Sequence, residues 1–96
     1  MIEKELFNNI NMLHTTIMGE KRIKKNLNIE CDVVEYCKNR IIDKKCGIYK
    51  KGKNYYCEID NIIITINSYS YTIITAHKKG EIWIANYLFK QLLNIY

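Results

Sequence analysis

His14 and His77 are the two imidazoles in this chain of 96 residues. Imidazole is the side chain that takes up or gives away a proton near neutral pH. Two of them can form the acid and base pair of metal-independent RNA cleavage. One accepts the proton of the attacking hydroxyl and the other protonates the leaving oxygen. A nearby cation would hold the charge on phosphorus, and Arg22, Lys53 and Lys78 are the candidates. The plainer alternative is that each histidine caps or packs locally. His14 precedes Thr15 and Thr16 between two predicted helices, and His77 precedes Lys78 and Lys79 at the end of a predicted strand.

Other catalytic constellations are absent from the sequence. It holds no glycine-rich phosphate loop, no clustered carboxylates for glycoside or metal chemistry and no nucleophile elbow. Cys31, Cys37, Cys46 and Cys57 lack the short C-x2-4-C spacing that lets two thiolates grip one ion. The expectation is free thiols, no metal and no cofactor.

The net charge of +5 is unevenly spread, since residues 20 to 53 hold eleven Lys or Arg against five Asp or Glu. A concentrated basic segment is the electrostatic footprint of a polyanion partner. Lys21, Arg22, Lys24 and Lys25, with Lys53 and Lys78, are the expected phosphate contacts. Abundant Ile, Lys, Asn and Tyr without proline is also what an AT-rich genome writes. Tyr49 and Tyr56 add aromatic faces that can stack bases of a single strand. The opposing reading has a final helix covering these tyrosines as core.

The elements that would position these residues form one domain of the α+β class. Ile2, Leu6, Ile10 and Leu13 recur at helical spacing. Thr15 or Thr16 can cap a second helix running to about Leu27, with Ile17, Ile23 and Leu27 inward. Gly19 weakens that helix. Asp32 and Glu35 have capping-box spacing before a third helix with Val33, Val34, Cys37, Ile41 and Ile42 as its apolar stripe, ending near Asp43.

A four-stranded antiparallel meander follows: Cys46–Lys50, Lys53–Ile59, Ile62–Asn67 and Ser70–His77, with turns at Lys51-Gly52, Asp60-Asn61 and Ser68-Tyr69. Two-residue turns set Ile48 opposite Tyr55, Cys46 opposite Cys57, Ile59 opposite Ile62, Ile66 opposite Tyr71, and Ile64 opposite Cys57 and Ile73. One face is then apolar. The other carries Tyr49, Asn54, Tyr56, Glu58, Thr65, Asn67, Ser70 and Thr72, with Ile63 and Ile74. This register puts His77 on the apolar face, away from any RNA laid on the open one. A one-residue slip would mix the two faces.

Glu81 to Tyr96 reads as a C-terminal helix that is apolar almost all round. More of it is apolar than one sheet face can bury, so it is the expected interface of a homodimer. No stretch of eighteen apolar residues is present, so no membrane span is expected. The first ten residues carry acidic groups and lack an apolar core, which argues against a signal peptide and for the cytoplasm.

The strings Leu13-His14-Thr15-Thr16, Gly19, Arg22-Ile23, Asn26-Leu27, Gly52-Lys53-Asn54-Tyr55-Tyr56 and Ser70 to Lys78 resemble a family of small bacterial proteins known only as a domain of unknown function. The resemblance runs from about Leu6 to Lys79 and implies no activity. In layout alone the chain is also similar to barnase, EndoU, colicin and RelE-like RNases, which place helices before a four-stranded antiparallel sheet. That is an analogy of fold. The leading expectation is a small basic RNA-directed protein, with metal-independent toxin-type endoribonuclease as the activity it would carry. His14 and His77 would be its acid and base. The alternatives are an inhibitor or anti-defence factor that occupies the nucleic-acid groove of an enzyme or nucleoprotein, and a structural or regulatory homodimer.

Overall fold

A computed structural model describes residues 2–79. The predicted final helix and the dimer built on it lie outside the described residues. Three helices, α1 (Ile2–Asn8), α2 (Ile17–Leu27) and α3 (Val33–Ile41), precede four strands, β1 (Gly47–Lys51), β2 (Asn54–Ile59), β3 (Ile62–Asn67) and β4 (Ile73–Lys78). The strands form one antiparallel sheet in the order β1-β2-β3-β4. The α+β class and the meander are as the sequence predicts. Among the described residues no helix is long and apolar enough to cross a membrane.

The first helix is shorter than its periodicity suggests. Asn8 and Asn9 compete for the backbone with their own side chains, and the Asn9 amide donates to the Glu5 carbonyl at 3.0 Å. A 3-10 turn over Ile10–Met12 follows, and Leu13 to Thr15 emerge extended beside β4. Thr16 caps α2 by accepting from the Gly19 amide at 2.9 Å. Ile23 and Leu27 are buried as expected, but Ile17 is 76 % exposed. Its place belongs to Gly19, which lies one turn before Ile23 on the inward face. Asp32 caps α3 through the Glu35 amide at 3.1 Å. Ile42 falls beyond the last turn and is exposed.

The helices cover one face of the sheet. Leu6, Leu13, Ile23, Leu27, Val33, Cys37 and Ile41 pack with Tyr55, Cys57, Ile62, Ile64, Ile66, Tyr71, Ile73 and Ala76. Burial pushes the Cys37 thiol up to about 12, so it sits in this core as a neutral group.

Two turns differ from the sequence reading. Lys51 pairs with Asn54, so the first hairpin turns at Gly52-Lys53, and Ile48 faces Cys57 rather than Tyr55. Gly52 takes φ +61° at the first loop position, where a II′ hairpin demands glycine. The correction is two residues, an even number, so each side chain keeps its face. The second hairpin turns at Asp60-Asn61 as predicted, both at positive φ.

The third connection is longer than two residues. The Asn67 carboxamide oxygen accepts from the amides of Tyr69 at 2.9 Å and Ser70 at 3.0 Å, holding a loop through Tyr71. Ile66 therefore pairs with Ile73 instead of Tyr71. The register then shifts, because Thr65 pairs with Thr75 and Ile74 is the extra residue of a β-bulge. Beyond the bulge Ala76 takes the buried face and Ile63 pairs with His77. The expectation that His77 projects from the apolar face is therefore reversed: the bulge turns it to the open one.

Candidate functional site

Cross-strand partners share a face, so the register lists what the open face carries. One row runs Lys51, Asn54, Asn67. It continues to Thr72, whose carbonyl accepts from the Asn67 amide at 2.9 Å, and to His14, which forms an isolated parallel bridge with Thr72. The next row is Tyr49, Tyr56, Thr65, Thr75, and the next Gly47, Glu58, Ile63, His77. Among the described residues no helix packs on this face.

The structure places both histidines on this face but at opposite ends of β4. At about 3.3 Å per residue, Thr72 and His77 lie roughly 16 Å apart along the strand. An acid and a base for one phosphodiester must each come within about 3 Å of it. His14 and His77 therefore do not form the pair that the sequence suggested.

His14 is held on three sides. Its amide donates to the Tyr71 carbonyl at 3.3 Å and its carbonyl accepts from the Ile73 amide at 2.7 Å. Thr15 anchors the same segment by donating its hydroxyl to the Ile73 carbonyl at 2.9 Å. A Cβ on Gly19 would come within 2.5 Å of the Thr15 hydroxyl oxygen, so any larger residue here would displace that hydroxyl.

The ring itself has an assignable tautomer. A carbonyl only accepts, so the contact of Nδ1 with the Met12 carbonyl at 2.9 Å places the proton on Nδ1. In the neutral ring Nε2 then accepts, and the Thr72 hydroxyl donates to it across 3.1 Å. Thr72 has spent its hydrogen, so in the 2.7 Å contact between the two hydroxyls Ser70 is the donor. Protonation of the ring reverses the series. Nε2 donates to Thr72, Thr72 to Ser70, and Ser70 to the Asn67 oxygen 3.3 Å away.

Tyr71, between the two hydroxyl residues, has φ +58°. That conformation costs a bulky residue roughly 1–3 kcal/mol. The ring is buried 6.2 Å from Tyr55, centroid to centroid, and holds the strain in place. Beside His14 lies a groove of about 290 Å³ that also contacts Leu13, Thr15, Glu20, Asp32, Val33 and Glu35. Among the described residues no three His, Cys, Asp or Glu side chains are grouped to hold a metal ion.

In the middle of the face Tyr49 and Tyr56 stack on each other, with centroids 5.3 Å apart and planes 20° from parallel. Tyr49 is exposed. Its hydroxyl donates to Glu58 at 3.4 Å, and desolvation together with that carboxylate holds the proton on it. Lys79 pairs with the other Glu58 oxygen at 3.3 Å. Among the described residues His77 makes one side-chain hydrogen-bond contact, 3.5 Å from Nδ1 to the Lys78 carbonyl.

The basic residues divide between the two sides. Lys51 is on the open face and Lys53 in the adjoining turn, both exposed. Lys78 pairs with Ile62 and belongs to the helix side. Lys21, Arg22 and Lys25 are exposed on α2, behind the sheet, and Lys24 is paired with Glu20 at 3.1 Å. One strand of nucleic acid on the tyrosines does not reach the α2 group.

Sequence reasoning missed Thr72 as the partner of the His14 ring, with Ser70 and Asn67 behind it. Their one signal is the Ser-x-Thr spacing on the polar face. The contact that gives it meaning spans 58 residues.

A family model described as "Protein of unknown function (DUF3781)" matches residues 7–77, a span that includes His14, Ser70, Thr72 and His77. No curated protein and no solved structure matches the chain.

Proposed function

We propose a function from the site alone, because the chain belongs to the DUF3781 family, whose description names no activity. The protein is a small RNA-directed binding protein that lays a single strand across the open face of its sheet. The observation that carries this reading is the stacked Tyr49–Tyr56 pair on a polar face. An exposed aromatic face accepts any base. Asn54 and Asn67 offer amides to base edges, and Lys51 and Lys53 offer charge to the phosphates at the same end. Single strands with splayed bases are the usual targets of such sheets. Cleavage through a histidine pair does not fit the placement of His14 and His77 beside opposite ends of β4, so binding is the activity proposed.

The test is fluorescence anisotropy with a labelled oligoribonucleotide of roughly 12 nucleotides, within the usual range of site sizes, in the presence of a chelator. Binding should weaken steeply with salt. Tyr49→Ala and Tyr56→Ala should each cost about 1–3 kcal/mol, the worth of one stacked base. Reversing Lys21, Lys24 and Lys25 to Glu should change affinity less than reversing Lys51 and Lys53. Full affinity in the double tyrosine variant, or no binding by the wild type, overturns the reading. The same samples run on a gel report whether the RNA stays intact.

A further inference from the structure

We propose that Cys46 and Cys57 are a thiol–disulfide exchange site, oxidised to an intramolecular disulfide by a low-molecular-weight disulfide such as glutathione disulfide. The inference does not depend on RNA binding. All four cysteines are free thiols, and the fold sorts them by access and by neighbour. Cys57 lies on β2 and is fully buried on the helix side of the sheet. Its cross-strand partner is Ile48. Cys46 precedes Ile48 by two residues, which returns it to the same side. It packs, half-buried, against the core that holds Cys57. The two cysteines are therefore diagonal neighbours at the start of β1, an edge strand.

Contact between the two thiols sets their roles. The Cys57 thiol donates to the Cys46 sulfur, and this holds Cys46 below its ordinary value against desolvation and the Asp43 carboxylate. The same bond, with burial, pushes Cys57 up. The thiolate is the attacking form, so Cys46 is the nucleophile and Cys57, beneath it, the thiol that resolves. Diagonal neighbours sit about 7–8 Å apart at Cα, slightly more than a relaxed disulfide spans. Cys46 stands one residue before β1, so drawing it inward breaks no pair of the ladder. A bond closed with that strain is easily reduced again.

The exchange balances with the small disulfide as oxidant. The Cys46 thiolate bonds to one of its sulfurs, the sulfur–sulfur bond breaks, and the first small thiolate leaves and takes a proton from water. Cys57 then attacks the Cys46 sulfur of the mixed disulfide. Its proton passes to the second small thiolate as that departs. Two protein thiols are oxidised and one small disulfide is reduced to two thiols. The new bond ties the hairpin that carries Tyr49 and Tyr56 on its other side.

The test incubates the folded full chain with glutathione disulfide, blocks remaining thiols with N-ethylmaleimide and maps the tryptic peptides by mass spectrometry. The expected result is a loss of two hydrogens, with the peptide that begins at Cys46 linked to the one that begins at Asn54, and full reversal by reduced glutathione. Cys31 is exposed, so the variants are made with Cys31→Ser to keep its adducts out of the count. Cys57→Ala should stop at one glutathione on Cys46. Cys46→Ser should leave Cys57 and Cys37 as unmodified thiols. Amide spectra of each variant show whether it folds, and the peptide map of the wild type decides the pairing without them. A wild type that keeps Cys46 as a thiol or stops at its mixed disulfide overturns the proposal. So does a bond mapped to Cys31 or Cys37 in place of the Cys46–Cys57 link.

Discussion

A histidine lies beside each end of β4 on one face of the sheet, His77 within the strand and His14 on the segment bridged to Thr72, and the two ends are held by different means. The His14 end is tied by directed bonds. Its backbone bridges Tyr71 and Ile73, its ring spans Met12 and Thr72, and Thr15 and Gly19 fix the approach of α2. The His77 end is set by register. A single extra residue at Ile74 decides its face, and among the described residues the ring makes one long hydrogen-bond contact. The first kind of placement fixes a ring to within a hydrogen bond and a tautomer. The second fixes only which side of the sheet the ring is on. A proton-transfer group needs the first kind, and of the two rings His14 is the one so held.

That contrast predicts a gradient of mutational cost from one end to the other. The largest effect is expected at Gly19. Gly19→Val drives a branched side chain into the Thr15 hydroxyl, which can move only by giving up its bond to the Ile73 carbonyl. Overpacking of this sort costs about 1–3 kcal/mol, and urea unfolding should show a loss near the top of that range. A loss below roughly 0.5 kcal/mol, the scale of an ordinary surface change, would mean that α2 is free to shift and the His14 end is not tied as described.

Thr15→Val comes next. It keeps the shape and removes the hydroxyl, so the Ile73 carbonyl loses a donor. About 1 kcal/mol is expected. The sharper readout is amide exchange, since the His14 and Tyr71 bridge should open more often in this variant while the Ile63–His77 pair stays protected. Equal loosening at both ends would dissolve the distinction between them.

The parts of this picture that the sequence made legible are those governed by local period and turn chemistry. Asp60-Asn61 accept positive φ, so the central hairpin and its register followed directly. The separation of faces survived a misplaced first turn because the error was even. The Asn67 loop and the Ile74 bulge were not legible. A bulge leaves no periodic trace when the residues around it, Ile73, Ile74 and Thr75, suit either face. The bond between His14 and Thr72 needs a parallel bridge across most of the chain, and no spacing rule announces that. The stripe on α2 was misread at Ile17 because a glycine, which has no hydropathy to contribute, occupies the inward position.

His14→Ala should cost about 0.5–1 kcal/mol, because it removes two exposed hydrogen bonds, each of modest net worth. Its structural consequence is more specific than its cost. With the imidazole gone, the Thr72 hydroxyl loses its acceptor and should turn to Ser70 or Asn67, and the amide resonances of Asn67 to Thr72 should move while those of β1 stay in place. Shifts confined to residue 14 would show that the relay is not connected.

The smallest effect belongs to His77. Its contact with the Lys78 carbonyl is at the outer limit of a hydrogen bond at 3.5 Å, and its cross-strand partner Ile63 is half-buried. Truncation to alanine removes no buried donor and opens no cavity in the helix-side core, so stability should change by less than about 0.5 kcal/mol. This near-silence is informative because the regular register makes the opposite prediction. Without the bulge, His77 would pair with Ile62 and project toward the helices beside Ile64, and its removal would cost several times as much, as large-to-small changes in a core do at about 2–5 kcal/mol. Ala76→Leu tests the same point from the other side. Ala76 is buried under the helices, so the larger side chain should destabilise by about 1–3 kcal/mol if the bulge is where the pairing puts it, and should be harmless if Ala76 faces outward. A costly His77→Ala beside a harmless Ala76→Leu would return His77 to the apolar face and take it off the surface it shares with Tyr49, Tyr56 and His14.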